Sequence, residues 1–212
     1  MKRVLALLFI LTIGFMLVGC EKKNNDWVID LTDSKQEVDS GIKYVFESYN
    51  GNLEYVALLS KQVVAGTNYM FLCKDDKGYK IAIVYKDLEN KAQITSVNDF
   101  DPIEYLDKNI ELDNEQLSGG WYVEIPENKM KLSDEVQGYF DKAIKTLTGA
   151  TYYPIAVLAH KENNGTNYAV LCYGEGSYVG STAGIYMITL HVENDKVEIS
   201  SIAGIDVKKY NK

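Results

Sequence analysis

The chain repeats itself, and the repeat limits its fold more than any other feature. Segment 55–73, YVALLSKQVVAGTNYMFLC, lies beside segment 154–172, PIAVLAHKENNGTNYAVLC. Gly66, Thr67, Asn68, Tyr69, Leu72 and Cys73 match Gly165, Thr166, Asn167, Tyr168, Leu171 and Cys172 at an offset of 99. The agreement extends both ways. Segments 26–51 and 120–149 each carry a tryptophan-headed extended stretch, a helical stretch and a glycine, while 79–97 matches 185–202. The offset grows because YGEGSYVGSTAG in the second copy replaces the shorter KDDKG of the first. Two copies of a period this long do not make a solenoid. They predict two domains of one kind.

Within each copy the periodicity predicts α+β. Ser34 and Glu37 form a capping-box pattern ahead of Val38, Ile42, Val45 and Tyr49 at helical spacing. In the second copy Ser133 is placed to cap, Asp134 and Glu135 suit the positive helix end, and Val136, Phe140, Ala143 and Leu147 form the stripe. Gly51 and Gly149 stand where helices stop. Alternating runs rich in β-branched and aromatic residues follow, divided at VAGT, DDKG and LEN, as in an antiparallel meander. One helix laid across four antiparallel strands buries a face of each. The predicted units are domain 1 over 26–101 and domain 2 over 119–212, joined by an acidic linker over 102–118.

The start of the chain predicts export. Lys2 and Arg3 precede an uncharged run from Val4 to Val18, too short for the roughly 20 residues of a membrane span. Leu17, Val18, Gly19 and Cys20 resemble the lipobox of bacterial lipoproteins. That resemblance implies a leader over 1–19, lipid on Cys20, and a short tether over 20–25 holding the protein to the outer side of a bacterial cell membrane. Two acyl chains suffice for stable anchoring. Loss of Lys2 and Arg3 takes the net charge from −8 to −10 and leaves no arginine, which disfavours nucleic acid as a partner.

No catalytic constellation is expected. His160 and His191 stand at no metal-ligand spacing, and the first copy has Ser60 and Tyr85, or a neighbour, at the matching places. The carboxylates are scattered, VNDFDP lacks the ligand count of a calcium loop, and the glycines of 174–184 lack the context of a phosphate cradle. The reading is therefore of a non-enzyme without metal or cofactor. Cys73 and Cys172 occupy equivalent strand positions in separate units, which predicts buried free thiols rather than a disulfide.

QVVAG at Gln62, Val63, Val64, Ala65 and Gly66, after a helix and a strand, resembles the first hairpin of the cystatins, and QVVAGTNY is the form found in many stefins. The resemblance covers roughly 33–101 and, more faintly, 120–206. It implies two tandem cystatin-like domains and a wedge that enters the cleft of papain-like cysteine proteases. The wedge has three parts: a glycine-bearing arm, the QVVAG hairpin and a second hairpin, here Leu88, Glu89 and Asn90. The glycine arm stands on the second copy, at Gly119, Gly120 and Trp121, with Trp27 and Trp121 read as packing anchors.

Exposed Val63 and Val64 are each expected to contribute about 1.5–3 kcal/mol if buried in an apolar cleft. The second copy has Glu162, Asn163 and Asn164 at the tip and is not expected to inhibit by this edge. The competing expectation is a non-inhibitory surface module that binds another protein through loops such as Gly174 to Gly184.

Overall fold

The computed structural model describes residues 26–29, 38–106, 120–124 and 131–210. The expected leader over 1–19, Cys20, the expected tether over 20–25, Ser34, Glu37, Gly119 and residues 107–118 of the expected linker lie outside them. The first unit runs α1 (Ser40–Glu47), β1 (Glu54–Val64), β2 (Gly66–Asp75), β3 (Gly78–Lys86) and β4 (Ala92–Asp99). The second runs β5 (Tyr122–Val123), α2 (Asp134–Ile144), β6 (Ala150–Glu162), β7 (Thr166–Gly176), β8 (Gly184–Glu193) and β9 (Lys196–Ile205). Each set of strands forms an antiparallel sheet in sequence order, four strands in the first and five in the second.

Helix α1 lays Ile42 and Phe46 on Phe71, Cys73, Ala82 and Val84. Helix α2 lays Val136, Phe140 and Ala143 on Val170, Cys172, Ile188 and Leu190. The opposite faces of the two sheets meet each other: Leu59, Met70, Leu72, Ile81 and Ile83 share one core with Ile155, Leu158, Leu171, Ile185 and Met187. The layers therefore stack helix, sheet, sheet, helix. Successive strand residues face opposite sides, so a strand covered on both sides is apolar throughout. Met70, Phe71, Leu72 and Cys73 are all buried for this reason, as are Ala169 to Cys172. Cys73 and Cys172 are not joined to each other: each is buried on the helix side of its own sheet, with the inter-sheet core between them.

The duplication extends to irregularities. The β1–β2 register slips between Tyr55 and Ala57 and between Leu58 and Ser60. The β6–β7 register slips at Pro154/Ala156 and Val157/Ala159, each 99 residues on. The slip at Ile83/Val84 returns at Thr189/Leu190. β-Bulges bend and twist a strand, so equal bulges give both sheets the same curvature.

Four expectations need correction. The second sheet has five strands because Tyr122 and Val123 pair with His160 and Ala159, and Val28 forms the corresponding bridge to Lys61 in the first unit. Helix α1 is capped by Asp39, whose carboxylate accepts from Gly41 N at 2.9 Å and Ile42 N at 3.2 Å. It ends before Tyr49, and its buried pair is Ile42 and Phe46. Ser133 caps α2 as expected, yet Leu147 lies past its end. Finally, the linker does not begin at 102: Pro102–Tyr105 is a 3-10 turn, with Pro102 and Leu106 buried and Ile103 and Tyr105 packed on the inter-sheet core. Phe100 and Tyr105 stack at 5.7 Å, and the Tyr105 and Tyr210 hydroxyls meet at 3.2 Å, which docks this turn on the second unit.

Candidate functional site

In an up-and-down meander alternate turns share an end. The β1–β2 and β3–β4 connections therefore lie together. The first is as tight as it can be: Val64 pairs with Gly66, Val63 with Thr67 and Gln62 with Asn68, leaving Ala65 alone at the tip. Gly66 has φ +129°, and a Cβ there would stand 2.5 Å from the Lys86 carbonyl oxygen. Only glycine fits where a neighbouring backbone approaches this closely. The Tyr85 hydroxyl, reaching across from β3, donates to the Ala65 carbonyl.

These contacts divide the QVVAG residues. Val63 is 53% exposed and Ala65 is exposed, whereas Val64 is half-buried. The expectation that both valines project is corrected, since neighbours on a strand point to opposite faces. Gln62 already accepts a hydrogen bond from Asn68 Nδ2 at 2.9 Å.

The second hairpin is organised by Asp87. Its Oδ1 accepts from Glu89 N and Lys91 N at 2.9 and 2.8 Å, and Asn90 takes φ +67°. The result lifts Leu88 into solvent at 83% exposure. The start of α1 flanks the same end, because Asp39 pairs with Lys86 at 2.9 Å. Burial raises the Asp39 pKa, but the Lys86 ammonium and the two capping N–H groups outweigh it and hold the carboxyl below its usual value. The arm reaches this end as well, with Val28 exchanging backbone hydrogen bonds with Lys61 at 2.7 and 2.9 Å. Val63, Ala65 and Leu88 thus form a small apolar rim on rigid supports.

The second unit builds the same end from polar residues. Asn164 (φ +48°) precedes Gly165 (φ +112°), whose Cβ would meet the Val192 carbonyl at 2.3 Å, and Asn194 and Asp195 make the other turn. Strand register matches His191 to Tyr85. Its Nδ1 lies 3.1 Å from Asn167 Oδ1. Register also matches His160 to Lys61, the residue 99 positions earlier and the neighbour of Ser60, because each pairs with its arm. Gly120 (φ +76°) is buried, and Trp121, at 8% exposure, lies in the inter-sheet core with Trp27 packed on it. Gly120 and Trp121 are thus a buried anchor, whereas the following Tyr122 and Val123 are exposed on the edge strand.

Two features had no sequence signal. His160 Nδ1 stands 2.6 Å from Glu124 Oε1, off line for a good hydrogen bond, and its ring stacks on Tyr122 at 5.3 Å. A cleft of about 500 Å³ opens beneath α1 between Phe46, Tyr49, Tyr55, Glu47 and Asp76. Among the described residues no group of three or more His, Cys, Asp or Glu side chains is placed to hold a metal ion. No helix among them is long and apolar enough to cross a membrane. Compared with known protein families and with curated proteins, the chain matches no family model and no curated sequence.

Proposed function

We propose that the chain is an exported, membrane-tethered protein that binds and inhibits papain-like cysteine proteases through the hairpin end of its first unit. The observation that carries this reading is the joint exposure of Val63, Ala65 and Leu88 on two neighbouring turns held by backbone constraints. A cleft that takes an extended substrate accepts such a rim without being offered a cleavable bond. The order of arm, helix and four-stranded meander agrees with a cystatin-like unit. On this reading the polar end of the second unit takes no part in the contact.

A specific observation favours a second reading, a non-inhibitory surface module that binds some other protein at this same end. The Gln62 amide and the Ala65 carbonyl are already engaged by Asn68 and Tyr85, so the rim brings apolar contact and few free hydrogen-bonding groups. Titration of papain with chain 20–212 bearing Cys20→Ser separates the two. Stoichiometric loss of activity supports inhibition, and full activity at saturating chain leaves only the binding module.

A further inference from the structure

The β7–β8 connection also exposes apolar side chains. Val179 is fully exposed and the adjacent Tyr178 is 71% exposed. Residues 176–184, GSYVGSTAG, carry no charge in a chain that is 25% charged. The segment is nonetheless built. Ser181 N donates to Tyr178 O at 3.2 Å, closing a four-residue turn with Gly180 at φ +90°, and Ser181 Oγ donates to Gly176 O at 2.6 Å. Ser177 N is held by Gly149 O at 2.9 Å. The Tyr178 ring lies over Gly176 so closely that a Cβ there would stand 2.8 Å from it. The fold holds two apolar side chains in water at the corner of a fixed turn. The first unit makes the same connection with Asp76 and Lys77, so the feature belongs to the second copy alone.

Placement points to what covers it. β8 begins and β9 ends at the same end of the second sheet, since Ile185 pairs with Ile205. Lys208, just beyond β9, pairs with Asp26 at 3.6 Å. Asp26 follows Cys20 by six residues, a reach of at most about 20 Å. Asp26, the first described residue after the anchor site, therefore lies beside the end of the second sheet that carries the Tyr178–Val179 turn.

We propose that Tyr178 and Val179 rest in the interface of the bilayer that holds the chain, as a second contact beside the lipid. Tyrosine suits that depth, with an apolar ring and a hydroxyl that stays wet. A lipid anchor fixes position without orientation, and a second contact supplies it. With no basic side chain in 176–184 the contact is apolar, so it does not depend on anionic lipid. The proposal rests on lipidation of Cys20.

The test uses the full lipidated chain in phosphatidylcholine vesicles. A single environment-sensitive fluorophore is placed at Val179→Cys or, at the opposite end of the same sheet, at Asn163→Cys. Cys73 and Cys172 are buried and do not label. The expected result is a blue-shifted Val179 label that a lipid-borne quencher reaches and an Asn163 label that it does not, unchanged by anionic lipid. A Val179 label as wet as the Asn163 label on vesicle-bound protein overturns the proposal and leaves the anchor standing. A blue shift that lipid-borne quencher does not touch assigns the turn to a protein contact and also overturns it. Protein that fails to float with vesicles overturns both readings.

Discussion

The hydroxyl of Tyr79, at the start of β3, donates to the backbone carbonyl of Glu124, just beyond β5 of the other unit. Tyr173 on β7 returns the favour by donating to the Leu58 carbonyl on β1. The two sheets are thus joined by directed bonds at both edges of an apolar core. Tyr79→Phe removes one of them and is expected to cost about 0.5–1.5 kcal/mol. Chemical denaturation of the two proteins side by side measures it, and no change in midpoint would show that the bond contributes nothing.

Alkali should weaken this joint. Burial, with the Glu124 carboxylate nearby, pushes the Tyr79 phenol well above its usual value of 10.0, and burial raises Tyr210 in the same direction. A folded pKa above the unfolded one means that the folded chain keeps a proton the unfolded chain has released. Stability from these groups is complete below about pH 10 and falls as pH rises beyond it. Denaturation midpoints at pH 8 and pH 11 should differ, and by less in Tyr79→Phe. Equal midpoints contradict the assignment.

Gly66→Ala and Gly165→Ala should each be strongly destabilising, by about 1–3 kcal/mol or more, because both combine a left-handed φ with a carbonyl 2.5 or 2.3 Å from the new Cβ. Gly78→Ala, at φ +133° with open space around it, should cost less. Melting temperatures of the three variants settle the order. Equal shifts would mean that φ alone matters and the close approach does not.

The duplicated order of elements, the strand turns and the buried thiols were legible because they depend on local alternation and on the repeat. The face-to-face packing of the sheets was written in Met70 to Cys73, a run with no polar alternation, but such a run reads equally as one strong strand. The cap at Asp39 was harder to read, because its carboxylate is also held by Lys86, 47 residues away. Tyr122 and Val123 are too few to carry a period. The pairing of His160 with Glu124 and the lock of Tyr85 on Ala65 join residues distant in sequence. At the rim the sequence offered two valines, and strand geometry turned one of them away.

The first unit alone should not stay monomeric. Leu59, Met70, Leu72, Ile81 and Ile83 would lie bare, each having contributed about 1.5–3 kcal/mol by burial. Residues 26–106 are expected to dimerise or aggregate in sedimentation experiments. A stable monomer would contradict the shared core.

In the proposed function the rim of Val63, Ala65 and Leu88 enters a protease cleft. Its most direct test is papain inhibition by chain 20–212 with Cys20→Ser, compared with the same chain carrying Val63→Asp and Leu88→Asp. Both positions are exposed, so the fold should survive, as circular dichroism will show. The unmodified rim is expected to inhibit, and each substitution to weaken inhibition by at least about tenfold, the equivalent of about 1.4 kcal/mol. Equal inhibition by all three chains, or none by any, would contradict it.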